Sequence, residues 1–313
     1  MNQSNHKILS IFFFSFFLFG NVFSQTDSST GSIKKSFFKF TANYLSNSVY
    51  SGRKDSATVP YLRSSIGYFN KSGFYISSGV ALLVSANDPA QIDMVNIDAG
   101  YSFSVKKLDA GIYASKFFYS NSSFAVQSEL SGLVGFDAGY NLGIISLNAG
   151  GDLLFSTSTD INANIGLSHE FETGKENNKW TINPAAQLNA GTQYFNQAYY
   201  EFRKFTFATS NSGSGSNSSN GKGKGKGHSN TSNSGGTTTT TVKTLTFSDG
   251  NRFTILDYEF SVPVNYEAKH WGLFAIPVVA FPVNAASYAV DNVAKKEILS
   301  TSFFVQIGGY IKF

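Results

Sequence analysis

The chain has 313 residues, a net charge of +4 and no cysteine, which excludes a disulfide framework and a cysteine-ligated metal site. Only 14% of the residues are charged, well below the share of about 25% in soluble globular proteins, whereas 16% are aromatic. Four lysines outside the expected fold account for the whole charge excess (4 − 4 = 0), so no basic face remains for nucleic acid: Lys7, Lys222, Lys224 and Lys226.

Residues 1–24 have the three-part layout of a secretory signal peptide. The basic start MNQSNHK precedes the twelve-residue apolar run ILSIFFFSFFLF, and Val22 and Ser24 suit cleavage before Gln25. A run of this length is too short for a bilayer-spanning helix, which needs about 20 residues. We therefore expect a cleaved signal peptide and a short N-terminal segment over residues 25–35.

From residue 36 onward, apolar and polar residues alternate with a period of two, which predicts β-strands. In VNIDAGYSFSV, for example, Val95 and Ile97 share one face and Asn96 and Asp98 share the other. At 11–16 residues the segments are about twice as long as ordinary strands. The twelve predicted strands cover residues 36–46, 60–70, 73–84, 92–105, 107–118, 122–137, 143–156, 160–172, 179–194, 253–266, 271–283 and 301–313.

The connections between these strands alternate between short turns and mostly longer loops. An even number of long strands joined in this way is typical of an outer-membrane barrel. The predicted fold class is therefore all-β, a transmembrane antiparallel up-and-down β-barrel of about twelve strands over residues 36–313. The soluble alternative, a large sandwich or lipocalin-like barrel, is disfavoured because small uncharged side chains dominate the polar face.

Two features depart from a regular barrel. Four prolines inside predicted strands lack a ladder donor, so we expect bulges or shifted strand ends at Pro184, Pro263, Pro277 and Pro282. Residues 210–241 contain no apolar side chain and are expected to form a disordered extracellular loop that acts as a spacer.

Charged residues on the predicted inner face are the candidates for function. The lumen-lining candidates are Arg63, Asp98, Asp109, Glu129, Asp152, Glu170, Asp257 and Glu259. With Lys39 and Lys312 at the chain ends, they make seven acids against three bases, which favours cations in a water-filled barrel. The same charges could instead pair with one another and fill the interior.

Catalytic chemistry finds little support in the sequence. His169 is predicted to face outward between Leu167 and Phe171, and His270 to lie in a turn, so neither forms a nucleophile pair. We therefore expect no enzyme activity, no cofactor and no metal.

The chain ends on SFFVQIGGYIKF, which predicts a last strand that closes the barrel. A terminal aromatic residue on such a strand resembles the signal that the outer-membrane barrel assembly machinery recognises. The residues assigned to this signal are Phe303, Val305, Ile307, Ile311 and Phe313.

The signal peptide, the terminal alternation and several short motifs together resemble a family of uncharacterised, roughly twelve-stranded outer-membrane barrels of Gram-negative bacteria. The motif residues are Thr41, Asn43, Tyr44, Ser72, Gly73, Phe74 and Tyr75. The resemblance implies a place in the outer membrane, with lipid, lipopolysaccharide and the assembly machinery as partners, but no activity. From the polar inner face we expect a passive or weakly cation-preferring conduit for small polar solutes. The alternative is a non-conducting structural or surface-interaction barrel that acts through its extracellular loops.

Overall fold

The computed structural model describes residues 35–54, 58–84, 90–120, 123, 125–175, 177–195, 245–247, 250–290 and 293–313. The predicted signal peptide, most of the segment 25–35 and the loop 210–241 lie outside the described residues. Within the described ranges, no helix is long and apolar enough to cross a membrane.

The described chain forms twenty strands. In chain order they are β1 (Phe37–Leu45), β2 (Val49–Tyr50), β3 (Arg53–Lys54), β4 (Tyr61–Phe69), β5 (Phe74–Leu83), β6 (Gln91–Val105), β7 (Leu108–Tyr119), β8 (Gly132–Asn141), β9 (Ser146–Phe155), β10 (Thr159–Ser168), β11 (Phe171–Lys175), β12 (Asn178–Ile182), β13 (Ala185–Gly191), β14 (Leu245–Phe247), β15 (Thr254–Ser261), β16 (Val264–Ala268), β17 (Trp271–Pro282), β18 (Ser287–Val290), β19 (Val293–Lys296) and β20 (Ser302–Lys312).

Twelve of these strands close into an antiparallel up-and-down barrel, which confirms the predicted fold class. The barrel strands are β1, β4 to β10, β13, β15, β17 and β20, and β20 closes the ring by pairing with both β1 and β17. The turn end of the barrel is the end where β1 begins and β20 stops; the loop end is opposite. At the loop end, β14, β18 and β19 form a separate small sheet.

One predicted strand is misplaced. The strand expected over residues 122–137 begins only at Gly132, because the apolar side chains of Val126 and Leu130 turn into the barrel instead of following the wall. Glu129 consequently lies in the connection between β7 and β8 and not on a strand.

The outer surface of the barrel is an apolar belt. Outward side chains such as Phe38, Ile112 and Phe303 are 51%, 62% and 64% exposed, while their inward neighbours Lys39 and Gly111 are buried. An apolar exterior around a polar interior is the pattern of a transmembrane barrel.

Three of the predicted prolines line up across neighbouring strands and form what we call the proline seam. Here His169, Asn183 and Val262 each donate a backbone N–H to a proline carbonyl, at 3.1, 2.9 and 3.3 Å; the acceptors are Pro184, Pro263 and Pro277. Because proline cannot return the second hydrogen bond of an antiparallel pair, each pair at the seam is held by one bond.

The seam explains the expected strand irregularities. It separates β10 from β11, β12 from β13 and β15 from β16, while Pro277 stays inside β17 and lies level with the break in its neighbour. Pro282 ends β17. Below the seam, β11, β12 and β16 form an extension towards the turn end. The ring of Tyr266 on β16 contacts Trp180 on β12 at 5.0 Å and Trp271 on the adjoining β17 at 5.3 Å.

Candidate functional site: the barrel lumen

Six of the eight predicted lumen candidates lie on barrel strands with their side chains inside: Arg63, Asp98, Asp109, Asp152, Asp257 and Glu259. Glu170 lies in the gap between β10 and β11, at the proline seam, and is half-buried. Glu129 lies in the inward-turned connection before β8, where burial raises the pKa of its carboxyl.

Four aspartates form an acidic wall on β6 to β9. From the turn end towards the middle of the barrel, neighbouring strands carry them at successive levels: Asp109, Asp137, Asp152 and Asp98. Asp137 is absent from the sequence-based candidates because the predicted strand ended on it, although it has the same parity as the inward-facing Leu133.

Hydroxyl and amide groups hold the acidic wall in place. The carboxylate of Asp98 accepts hydrogen bonds from Ser115 at 2.6 Å, from Ser77 at 3.2 Å and from the side chain of Asn96. The phenol of Tyr113 donates to Asp152 at 2.5 Å. Hydrogen bonds of this kind offset part of the cost of burying a carboxylate and fix its direction.

Glycines on the inner face make room for tyrosine rings. A Cβ atom added to Gly135 would lie 2.6 Å from the ring of Tyr113, and one added to Gly100 would collide with the phenol of Tyr75. The two tyrosine side chains therefore lie directly over these glycines, at the level of the aspartates.

A second acidic pair, Asp257 and Glu259, faces inward from β15. Asn189 donates to Asp257 at 2.7 Å, and Gln187 donates to Asn189 at 2.6 Å. The two amides on β13 thus pair with the two carboxylates across the strand boundary.

The inward bases lie together on β20, β1 and β4. Lys39 and Lys312 are register partners, and Lys39 lies 4.5 Å from the centre of the Tyr310 ring. Lys312 forms an ion pair of 2.8 Å with Glu267, and Arg63 donates to Asn43 at 3.0 Å. The lumen therefore has a basic strip that is separate from its acidic wall.

Two connections fold into the loop end of the lumen, and we call them the plug (residues 47–54, 58–59 and 125–130). Its buried apolar side chains are Val49, Tyr50, Val59, Val126 and Leu130. They pack with strand residues such as Met94 and Leu154 into one apolar core, which fills the barrel at this end. Burial, together with the charge of Asp160, raises the pKa of the Tyr50 phenol well above its ordinary value.

Arg53 ties the plug to the wall. Its guanidinium donates to both carboxylate oxygens of Glu297, at 3.1 and 3.2 Å, and to Gln193 at 3.1 Å. Further hydrogen bonds reach the backbone carbonyls of Leu256 and Val283 at 3.4 and 3.3 Å. The sequence gives no signal for this ion pair, because both residues fall in segments that alternation assigns to loops.

Two further buried acids are absent from the predicted lumen candidates, although Asp160 has the parity of the inward-facing Asn162. Asp93 is turned inward by a bulge in β6 opposite Ala81 and Leu82, and Tyr61, Ser120 and Ser123 donate to it. Asp160 accepts from the backbone N–H groups of Tyr194 and Phe195 at 2.8 and 2.7 Å and so anchors the start of the long loop.

The predicted assembly signal lies on β20. Phe303, Ile307, Ile311 and Phe313 are exposed on the outer face, and Val305 is half-buried. His169 contacts the carbonyl oxygen of Ile144 and the ring of Phe171, whose centroid lies 4.3 Å from its own.

No protein-family model matches the chain, and no curated protein matches it. Among solved structures, the KdgM porin aligns with 88% of this chain and 99% of its own length at 10% identity and a TM-score of 0.43. The NanC porin covers 88% and 100% at 7% identity and 0.42, and an outer membrane channel from Pseudomonas putida F1 covers 91% and 98% at 9% identity and 0.42. Similarities at this level carry no information on the function of this chain.

Proposed function

We propose that this protein is an outer-membrane barrel that passes small polar solutes through its lumen, with the plug as a gate at the loop end. The carrying observation is the inner wall, which is lined mainly by polar and charged side chains from β4 to β15. The exception is β17, whose inner face carries the buried side chains of Phe274, Ile276 and Val278. A barrel that only displays loops has no need of such a wall, since burying polar groups costs free energy.

The apolar belt supports the location. Lipid tails and lipopolysaccharide are the surroundings that this outer face fits, and the exposed apolar residues of β20 suit recognition by the barrel assembly machinery. A cleaved signal peptide over residues 1–24 would provide the export step.

The charges of the lumen support a weak preference for cations. The inward carboxylates of the twelve barrel strands are the four of the acidic wall, the two on β15, Asp93 and Asp160, eight in all among the described residues, against three bases on β20, β1 and β4. Because one of these bases, Lys312, is paired with Glu267, the acidic residues dominate the field that a solute meets.

Planar-bilayer recording of the purified protein tests the proposal. Replacing residues 47–59 by a short Gly/Ser turn removes half of the plug and should convert a barrel of low conductance into an open, cation-preferring one. Deletion of 210–241 is the matched control, since it shortens a loop without touching the plug. If the barrel without residues 47–59 does not conduct, the conduit is the wrong function.

The packing of the plug favours one second candidate, a non-conducting barrel that acts through its loops. The plug side chains are nearly all buried, and β14, β18 and β19 build a folded sheet beyond the loop end. Deletion of 210–241 separates the two functions, because a defect in surface binding with unchanged permeability would favour the second.

A further inference from the structure

Glu170 and Asn183 stand opposite each other on the inner face at the proline seam. The pairs Ser168–Ala185 above them and Phe171–Ile182 below keep one unbroken register, which places Glu170 across from Asn183. One level towards the turn end, Thr181 pairs with Asn265, so that Asn265 is the diagonal neighbour of Asn183.

These three side chains bury polar atoms that lack partners. Within the described part of the chain, no donor reaches either carboxylate oxygen of Glu170, which has only the Glu172 carboxyl in hydrogen-bond range. No hydrogen bond among these residues reaches either amide atom of Asn183 or the amide oxygen of Asn265. Asn183 is only 1% exposed. A buried polar group without a partner costs about 1–3 kcal/mol. Because the register sets these groups within one level of each other, they indicate that something else binds there.

The nearest charges of Glu170 are Glu172 and Lys179, which form an ion pair of 2.7 Å with each other at the rim. Two carboxylates are both acceptors, so Glu170 and Glu172 cannot bond each other unless a proton or a cation lies between them. The unpartnered atoms include four acceptors and one donor, which suits a cationic ligand and not an anion or an acceptor-rich solute.

We propose that Glu170, Asn183 and Asn265 form a binding site for a hard metal cation such as Ca²⁺. Carboxylate and amide oxygens are the ligands that Ca²⁺ takes in proteins, and water can complete its coordination. The proposal does not depend on whether the barrel conducts.

Terbium luminescence with the full-length protein folded in detergent provides the test, with Tb³⁺ as the probe and Ca²⁺ as competitor. The two tryptophans of the chain are Trp180 on β12, near Asn183 in the chain, and Trp271 on β17, which pairs with the strand of Asn265. From these positions they can sensitise Tb³⁺ emission. We expect saturable emission that Ca²⁺ removes. Because outer-sphere changes alone cost a site 10–100-fold in metal affinity, Glu170→Gln and Asn183→Ala should each weaken binding by at least about tenfold.

Two further variants keep the test decisive. Asp109→Asn removes a carboxylate on the far wall and should leave the affinity unchanged, whereas Asn265→Asp adds a charge to the site and should tighten binding. Heat-dependent mobility on gels shows that each variant is folded. The proposal is overturned if the wild type gives no saturable emission, if Glu170→Gln binds as well as the wild type, or if Asp109→Asn weakens binding equally.

Discussion

Arg53→Ala should release the plug. The side chains of Arg53 and Glu297 are 4% and 5% exposed, so that the substitution leaves the Glu297 carboxylate buried with only the backbone N–H of Ala286 as donor among the described contacts. Removing one partner of a buried ion pair costs about 3–5 kcal/mol, mainly because the other charge stays desolvated.

This cost destabilises the docked state of the plug only, because Glu297 can reach water once the plug is undocked. At 1.4 kcal/mol for each factor of ten, the ratio of undocked to docked barrels should rise roughly 10²–10⁴-fold. A double variant, Arg53→Met with Glu297→Met, leaves no buried charge and should regain most of the docking.

Single-cysteine labelling measures the docked fraction directly, since the natural chain has no cysteine. Ser48 is buried in the plug, whereas Lys54 is exposed. Ser48→Cys should react slowly with a membrane-impermeant maleimide in the parent and much faster beside Arg53→Ala. Lys54→Cys should react quickly in both and serves as the control.

Equal labelling of Ser48→Cys with and without Arg53→Ala would refute the reasoning. Faster labelling of the double variant Arg53→Met with Glu297→Met than of Arg53→Ala would also refute it. In that case docking would depend on lost packing and not on the unpaired buried charge of Glu297. Conductance recorded on the same proteins should rise in parallel with labelling if the plug is the gate.

Three other changes have defined outcomes. Gly135→Ala should destabilise the barrel by about 1–3 kcal/mol, measured by urea unfolding, because the new methyl group collides with the Asp152 carboxylate and lies 2.6 Å from the Tyr113 ring. Asp98→Asn with Asp152→Asn should lower the cation preference of the barrel lacking residues 47–59, seen as a shift of the reversal potential in a salt gradient. Removal of Phe313 should reduce the amount of barrel assembled in the outer membrane, measured by fractionation and gel mobility.

Each of these predictions has a matched control. Ala114→Val adds bulk on the outer face of the strand next to Gly135 and should be nearly neutral. Lys116→Gln removes an outward charge and should leave ion selectivity unchanged. Phe313→Trp keeps a terminal aromatic residue and should assemble. A control that behaves like its test variant would contradict the corresponding prediction.

The alternation of apolar and polar residues was sufficient to predict the barrel, because side chains on every strand of such a fold face lipid and lumen in turn. It placed Asp98, Asp152 and Asp257 inside, since their parity is that of neighbouring polar residues. It failed at Asp93, where a bulge shifts the parity, and over residues 125–130, where the side chains of Val126 and Leu130 turn into the lumen.

The plug could not be predicted from the sequence. The stretch SNSVYSGRKDSAT is typical of a solvated loop, because its three apolar residues are far fewer than its polar ones. Its burial depends on Glu297, which lies 244 residues further along the chain, so that only the three-dimensional closure of the barrel brings the charges together. The pairing of Lys312 with Glu267 was missed for the same reason.

The proline seam makes the resistance of the barrel wall to bending uneven around its circumference. Away from it, paired strands share the usual ladder and resist bending; along it, three neighbouring pairs are held by one bond each. The extension of β11, β12 and β16 can therefore bend relative to the barrel at the proline seam. Its outermost strand, β11, pairs with β12 alone among the described strands. Glu170, Asn183 and Asn265 lie at the proline seam. A metal ion bound to them would therefore cross-link the neighbouring strands there and stiffen the turn end of the barrel.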